Sequence, residues 1–121
     1  MKVKKMNIGI RDFRTALNDF VVAGEALAQG DSVPEEERVS FVSIEAFRKA
    51  LTPRRLELLH VVKTARPDSL NKLAGLLRRN IKNVANDVKF LVQVGLLETR
   101  REDNRLAPQV VYDEIDLRIA V

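Results

Sequence analysis

Between Thr52 and Gly95 apolar residues recur at three- and four-residue steps in three successive stretches, broken each time by residues that cap or stop helices. The first stretch opens at Thr52-Pro53, an N-cap followed by proline at the first helical position, where its missing N–H costs nothing. It runs to about Thr64, with Leu56, Leu59 and Val62 along its inner arc. Pro67 ends the connection, and Ser69 caps a second helix whose apolar positions are Leu70, Leu73, Ala74 and Leu77. Asn80 opens a third, expected to bury Ile81, Val84, Ala85, Val88, Leu91 and Val92 before Gly95 stops it.

After Gly95 the period changes. Leu96 to Arg101 is extended in character, Glu102, Asp103 and Asn104 supply a turn, and Arg105 to Tyr112 returns as a hairpin. Three short helices followed by a basic hairpin have the order of a winged helix-turn-helix. Upstream, Val39 to Val42 is short and β-branched, and Ser43 can cap a helix from Ile44 to Leu51. From Arg11 to Gln29 the positions Phe13, Ala16, Leu17, Phe20, Val21, Gly24, Leu27 and Ala28 make a further amphipathic helix, stopped at Gly30. Ser32 to Arg38, with Pro34 and the carboxylates Glu35, Glu36 and Glu37, reads as a solvated linker. Ile115 to Val121 alternates with a period of two and predicts a strand that pairs with Val39–Val42 or across subunits. The expected fold is therefore mainly α with a small β-sheet: residues 1–38 as an accessory helix and linker, residues 39–121 as the winged helix-turn-helix domain.

A chain of 121 residues suits a single core. The absence of cysteine excludes disulfide frameworks, zinc ribbons and thiol nucleophiles. Met1 to Met6 is basic, but Arg11, Asp12, Arg14 and Asp19 break up the segment after it, so neither a signal peptide nor a membrane span is expected and a cytoplasmic location is the default. The net charge of +4 is unevenly spread. Residues 53–105 hold 12 basic and 6 acidic side chains, whereas residues 1–52 hold 8 of each and residues 106–121 hold 1 and 3. A positive field on the helix-turn-helix and hairpin is what phosphate binding requires.

The stretches Leu51-Thr52-Pro53-Arg54-Arg55-Leu56, Ser69-Leu70-Asn71-Lys72-Leu73-Ala74 and Asn83-Val84-Ala85-Asn86-Asp87-Val88-Lys89, continued by Gly95-Leu96-Leu97 and the return from Pro108 to Leu117, resemble prokaryotic MarR-like winged helix-turn-helix proteins. The nearest likeness is to an uncharacterised archaeal and bacterial group of DNA-binding regulators. The resemblance implies a transcriptional repressor, commonly dimeric and, in small versions, encoded beside a toxin that it silences, so that a cognate toxin is an expected protein partner. It departs at the turn between the second and third helices. The glycine usual there falls on Arg78, and Gly75 lies inside the second helix.

With Val84, Val88 and Leu91 buried, a turn of about 100° per residue puts Lys82, Asn83, Asn86, Lys89, Phe90 and Gln93 on the opposite face. Asparagine can bond adenine N6 and N7 together, and lysine reaches guanine O6 or phosphate, so Lys82, Asn83, Asn86 and Lys89 are the expected base contacts. Ser69, Lys72, Arg78 and Arg79 surround the approach and are expected on phosphates, with Arg100, Arg101 and Arg105 on the wing. Asp87, at the edge of this face, is expected to pair within the protein. Phe90 fits neither a polar face nor a core. Phe13, Leu17, Phe20, Val21 and Leu27 are the expected dimerisation face, unless that helix folds back in cis. A homodimer would set two reading helices about one DNA turn apart.

No catalytic, metal-binding or cofactor-binding constellation is expected. His60 has no second histidine or cysteine to complete a site, and the run Glu35–Glu37 cannot easily converge on one ion. The competing reading is a winged-helix protein-interaction module without DNA contacts, in which the same polar face is ordinary solvated surface.

Overall fold

In the computed structural model, which describes residues 3–11 and 39–119, each expected helix start within that span is closed by the side chain offered for it. Ser43 Oγ accepts from the Ala46 N–H at 3.0 Å, Thr52 Oγ1 from Arg55 at 3.2 Å, Ser69 Oγ from Lys72 at 3.1 Å and Asn80 Oδ1 from Lys82 at 2.8 Å. These caps open α1 (Ile44–Ala50), α2 (Pro53–Ala65), α3 (Leu70–Leu77) and α4 (Ile81–Val94). Each satisfies a backbone donor that the first helical turn leaves over, typically worth about 1 kcal/mol.

The stops are equally local. Arg78 takes the left-handed conformation after α3 (φ 55°), its N–H donating to Gly75 O at 3.2 Å and that of Arg79 to Ala74 O at 3.0 Å. A side chain there costs roughly 1 kcal/mol relative to glycine, yet the turn keeps its standard form. Gly95 ends α4 at φ 92°, and a Cβ on it would also lie 3.4 Å from Val39 Cγ2. The wing is an antiparallel pair, β3 (Glu98–Glu102) and β4 (Arg105–Gln109). Asp103 and Asn104, both at positive φ, form the two-residue turn that matches strand twist. The return strand thus stops at Gln109 rather than at the expected Tyr112.

One strand lies outside the elements expected above, although Met6-Asn7-Ile8-Gly9-Ile10 alternates with a period of two. β1 (Lys5–Ile10) lies in the centre of a three-stranded sheet ordered β2-β1-β5, parallel both to β2 (Val39–Phe41) and to β5 (Glu114–Ile119). The C-terminal strand forms where expected, but it does not pair with Val39–Val42, because β1 occupies the position between them. Asp113 ties the two ends together: its carboxylate accepts the Lys4 backbone N–H at 2.9 Å and pairs with Lys63 at 3.1 Å. That backbone bond, helped by Lys63, holds the Asp113 carboxyl below its ordinary pKa. The boundary expected at residue 38 therefore does not separate β1 from the core. The amphipathic stretch 12–29 with Phe13, Leu17, Phe20, Val21 and Leu27, and the linker 30–38, lie outside the described residues.

The core joins helices, sheet and wing base. Ile8, Leu58, Val62, Leu73, Val84, Leu91 and Leu96 are almost completely buried, with Met6, Val39, Val88 and Leu97 around them. Three positions expected in the core are exposed, and Ala85 is half-buried. Leu56 is 51% exposed and Leu58 takes its place on the inner arc of α2. Ile81 and Val92, at the margins of the α4 stripe, are 41% and 37% exposed. The apolar period fixes a stripe, but which margin meets a neighbour depends on how the helices cross.

Tyr112 closes the core beside the wing, donating its hydroxyl proton to Leu96 O at 2.7 Å. Burial pushes its pKa from 10.0 to about 12, because the phenolate would lose water. The folded state thus holds this proton more tightly than the unfolded chain. Its contribution to stability is complete below pH 10 and is lost as the pH rises towards 12. Thermal melts between pH 9 and 12 are expected to show a steeper alkaline loss in the wild type than in Tyr112→Phe. The variant should be less stable at neutral pH by about 1 kcal/mol, having left Leu96 O without its donor.

Candidate nucleic-acid interface

The face of α4 that turns from the core is built by the helical period itself. Val84, Val88 and Leu91 are buried, while Lys82, Asn83, Asn86, Lys89 and Gln93 are exposed along the opposite side. Three amide or ammonium groups thus lie within the first two turns of the helix, a length suited to base edges in a major groove. Asn80, just ahead of this set, caps the helix with its side chain as expected.

What holds the face in place is a guanidinium cluster underneath it. Asp87 accepts from Arg55 Nε at 3.2 Å and from Arg79 Nη2 at 2.7 Å, with the three side chains between 15% and 21% exposed. Arg55 Nη1 also donates to Lys49 O and Ala50 O, both at 2.9 Å, and its guanidinium carbon sits 4.1 Å from the centre of the Phe90 ring. One arginine therefore joins the end of α1, the start of α2 and the middle of α4. This accounts for Phe90 as a cation–π platform. Asp87 pairs within the protein as expected. Sequence reasoning misses Arg55, since an arginine in a first turn looks like surface charge. The available signal is Asp87, the lone carboxylate on an otherwise basic helix.

The same cluster changes the phosphate set. Arg79 is turned inward to Asp87, with Nη1 buried and lacking a hydrogen-bond acceptor, so its guanidinium does not join the outer surface. Lys72 and Arg78 are exposed on α3 and at its end. The Ser69 oxygen already accepts from the Lys72 N–H, which leaves its O–H as a donor.

The wing arginines are split. Strand pairing puts Arg100, opposite Ala107, on the same face as the Glu102–Arg105 pair, and Arg101, opposite Leu106, on the other. Arg100 pairs with Glu102 at 2.7 Å, and Arg105 reaches Asp68 at 3.6 Å. Both remain more than half exposed, so these pairs are weak and can open to a phosphate. The structure thus gathers Lys82, Asn83, Asn86 and Lys89 on one face and distributes the three wing guanidiniums over two. Among the described residues no group of His, Asp and Glu is placed to hold a metal ion, and no helix is long and apolar enough to cross a membrane.

No curated protein matches the chain. Among solved structures it is similar to a predicted DNA-binding transcriptional regulator from E. coli, with 16% identity and a TM-score of 0.50 over 80% of this chain and 85% of that one. That likeness is one of fold. A homodimeric winged helix-turn-helix DNA-binding domain from Mycobacterium bovis, a possible ArsR-family regulator, matches with 23% identity and a TM-score of 0.48, covering 82% of this chain and 70% of that one. The multiple antibiotic-resistance repressor of Listeria monocytogenes matches with 16% identity and a TM-score of 0.45, covering 84% and 66%. The arrangement of helices and hairpin is that of a winged helix-turn-helix. The HVO_A0114 family model matches residues 50–117, more than half of the chain and the span from the end of α1 into β5, and the protein belongs to the HVO_A0114 family.

Proposed function

We propose that this protein binds double-stranded DNA as a transcriptional regulator, without catalysis, and acts as a repressor in homodimeric form. The observation that carries the reading is the exposed face of α4, where Lys82, Asn83, Asn86 and Lys89 stand together above a helix fixed from below. In this reading Asn83 and Asn86 contact bases, Lys82 and Lys89 contact guanine or phosphate, and Ser69, Lys72, Arg78, Arg100, Arg101 and Arg105 contact the backbone. A narrower version is a cytoplasmic repressor of its own operon, and an antitoxin where that operon encodes a toxin.

Fluorescence anisotropy of labelled duplexes tests it, comparing DNA upstream of the protein's own gene with a scrambled duplex at several salt concentrations. Tighter binding upstream with a steep salt dependence supports a sequence-specific regulator; no binding at low salt overturns the reading. Arg78→Gly offers a cleaner probe than removal of a helix. Glycine suits the left-handed turn, so the fold is expected to keep its stability, whereas affinity should fall for all sequences alike and the salt slope should drop by about one.

A second reading has one observation in its favour. Leu76 on α3 and Ile81 at the start of α4 are 48% and 41% exposed, large apolar side chains that a protein partner would cover. An interaction module predicts that Leu76→Ser and Ile81→Ser abolish partner capture while alanine at Asn83 and Asn86 changes nothing.

A further inference from the structure

β5 is a sheet edge among the described residues: it pairs with β1 on one side, over all six of its residues, and no proline interrupts it. The other edge, β2, has three residues. A long regular edge presents a row of backbone donors and acceptors that a further strand completes. β5 also carries a sharply divided pattern. Paired residues of a parallel ladder share a face, so Ile115, Leu117 and Ile119 lie with Met6, Ile8 and Ile10, while Glu114, Asp116 and Arg118 lie with Lys5, Asn7 and Gly9. Leu117 and Ile119 are 40% and 51% exposed although they neighbour the buried Ile8 and Ile10.

We propose that β5 pairs antiparallel with β5 of a second copy of this chain, in the register that sets Leu117 against Leu117. A two-fold axis perpendicular to the sheet keeps each face on its own side, so only residues of one face can stand opposite each other. Centring on Asp116 opposes two carboxylates, centring on Arg118 opposes two guanidiniums, and centring on Ile115 sets Glu114 against Asp116. Centring on Leu117 instead sets Asp116 against Arg118 twice on one face and Ile115 against Ile119 twice on the other. Asp116 lies 3.7 Å from Lys5 Nζ and Arg118 engages another group within its own chain, so the new pairs add to existing contacts. A guanidinium has five N–H donors and can serve both. Ile115 also lines an apolar groove of about 760 Å³ with Leu51, Leu56, Leu59 and Tyr112. Ile119 of the second copy, beside Ile115, extends that apolar surface.

The inference rests on the homodimeric part of the proposed function and not on DNA binding. Sedimentation equilibrium of the full chain is expected to give a dimer. Asp116→Arg and Arg118→Asp should each raise the dimer dissociation constant roughly tenfold or more, since each replaces two opposite-charge pairs by like-charge ones, and the double exchange should restore it. The protein has no cysteine, which permits a second measurement that does not depend on charge. Leu117→Cys should form a disulfide-linked dimer on mild oxidation, while Ile119→Cys, facing Ile115, should stay monomeric on a denaturing gel. A monomeric wild type, charge variants that dimerise like the wild type, or crosslinking that favours position 119 over 117 would each overturn the proposal.

Discussion

Replacing Asp87 by alanine is expected to lower stability by about 2–3 kcal/mol, more than any other change outside the apolar core. The carboxylate is the shared acceptor of Arg55 and Arg79, and its removal strands two largely buried guanidiniums. Breaking a buried charge pair by deleting one partner typically costs about 3–5 kcal/mol; the residual exposure of these side chains puts this case below that range. Arg79 Nη1 already lacks an acceptor, so the cluster has no spare acceptor with which to rearrange. Arg79→Met should cost much less, because Asp87 keeps Arg55 and an apolar side chain fills the space. Urea unfolding followed by circular dichroism measures both. A loss below about 0.5 kcal/mol for Asp87→Ala would mean that packing alone holds α4. At positions 49 and 50 the same arginine bonds backbone carbonyls, so Arg55→Ala should also loosen the joint between α1 and α2.

Alanine at Asn83 and Asn86 together is expected to reduce affinity for the specific duplex by about two orders of magnitude while leaving binding to scrambled DNA nearly unchanged. A bidentate amide–adenine contact discriminates by about 1–3 kcal/mol, and the proposed function assigns two such contacts to separate base pairs. Both residues are exposed, neither caps the helix, and alanine is the better helix former, so stability should hold or rise slightly. Adding Lys82→Ala should weaken both duplexes and reduce the salt slope, since an ammonium contributes chiefly through phosphate. Anisotropy with the two duplexes separates these effects. An equal loss on both would move Asn83 and Asn86 from base contacts to the backbone.

The parts of this protein that can be read from the sequence are those whose physics is local. Ser43, Thr52, Ser69 and Asn80 cap helices by bonding N–H groups two or three residues ahead, and Gly95 ends α4 through its own φ. The Asp103-Asn104 turn and the polar face of α4 depend on residues a few positions apart. The inward turn of Arg79 is not legible, because a basic residue after a helix looks the same whether its acceptor is a phosphate outside or Asp87 on the next helix.

The remaining differences share one cause. Met6-Asn7-Ile8-Gly9-Ile10 alternates with a period of two, but it is short and contains two poor strand formers, and alternation marks a strand without placing it at the centre of a sheet. Its partners come from Val39–Phe41 and Glu114–Ile119, far along the chain from it and from each other, and only the assembled core brings them together. Leu58 displaces Leu56 from the buried arc for the same reason, as the helix crossing and not the period selects the margin. The sequence by itself determined the elements of the helix-turn-helix and wing, their order and the residues on the exposed polar face of α4, since caps, turns and periodicity act within a few residues. Only the tertiary structure decided which strand lies at the centre, which arginine is buried and how the wing divides its charge, since each depends on contacts between separate segments of the chain.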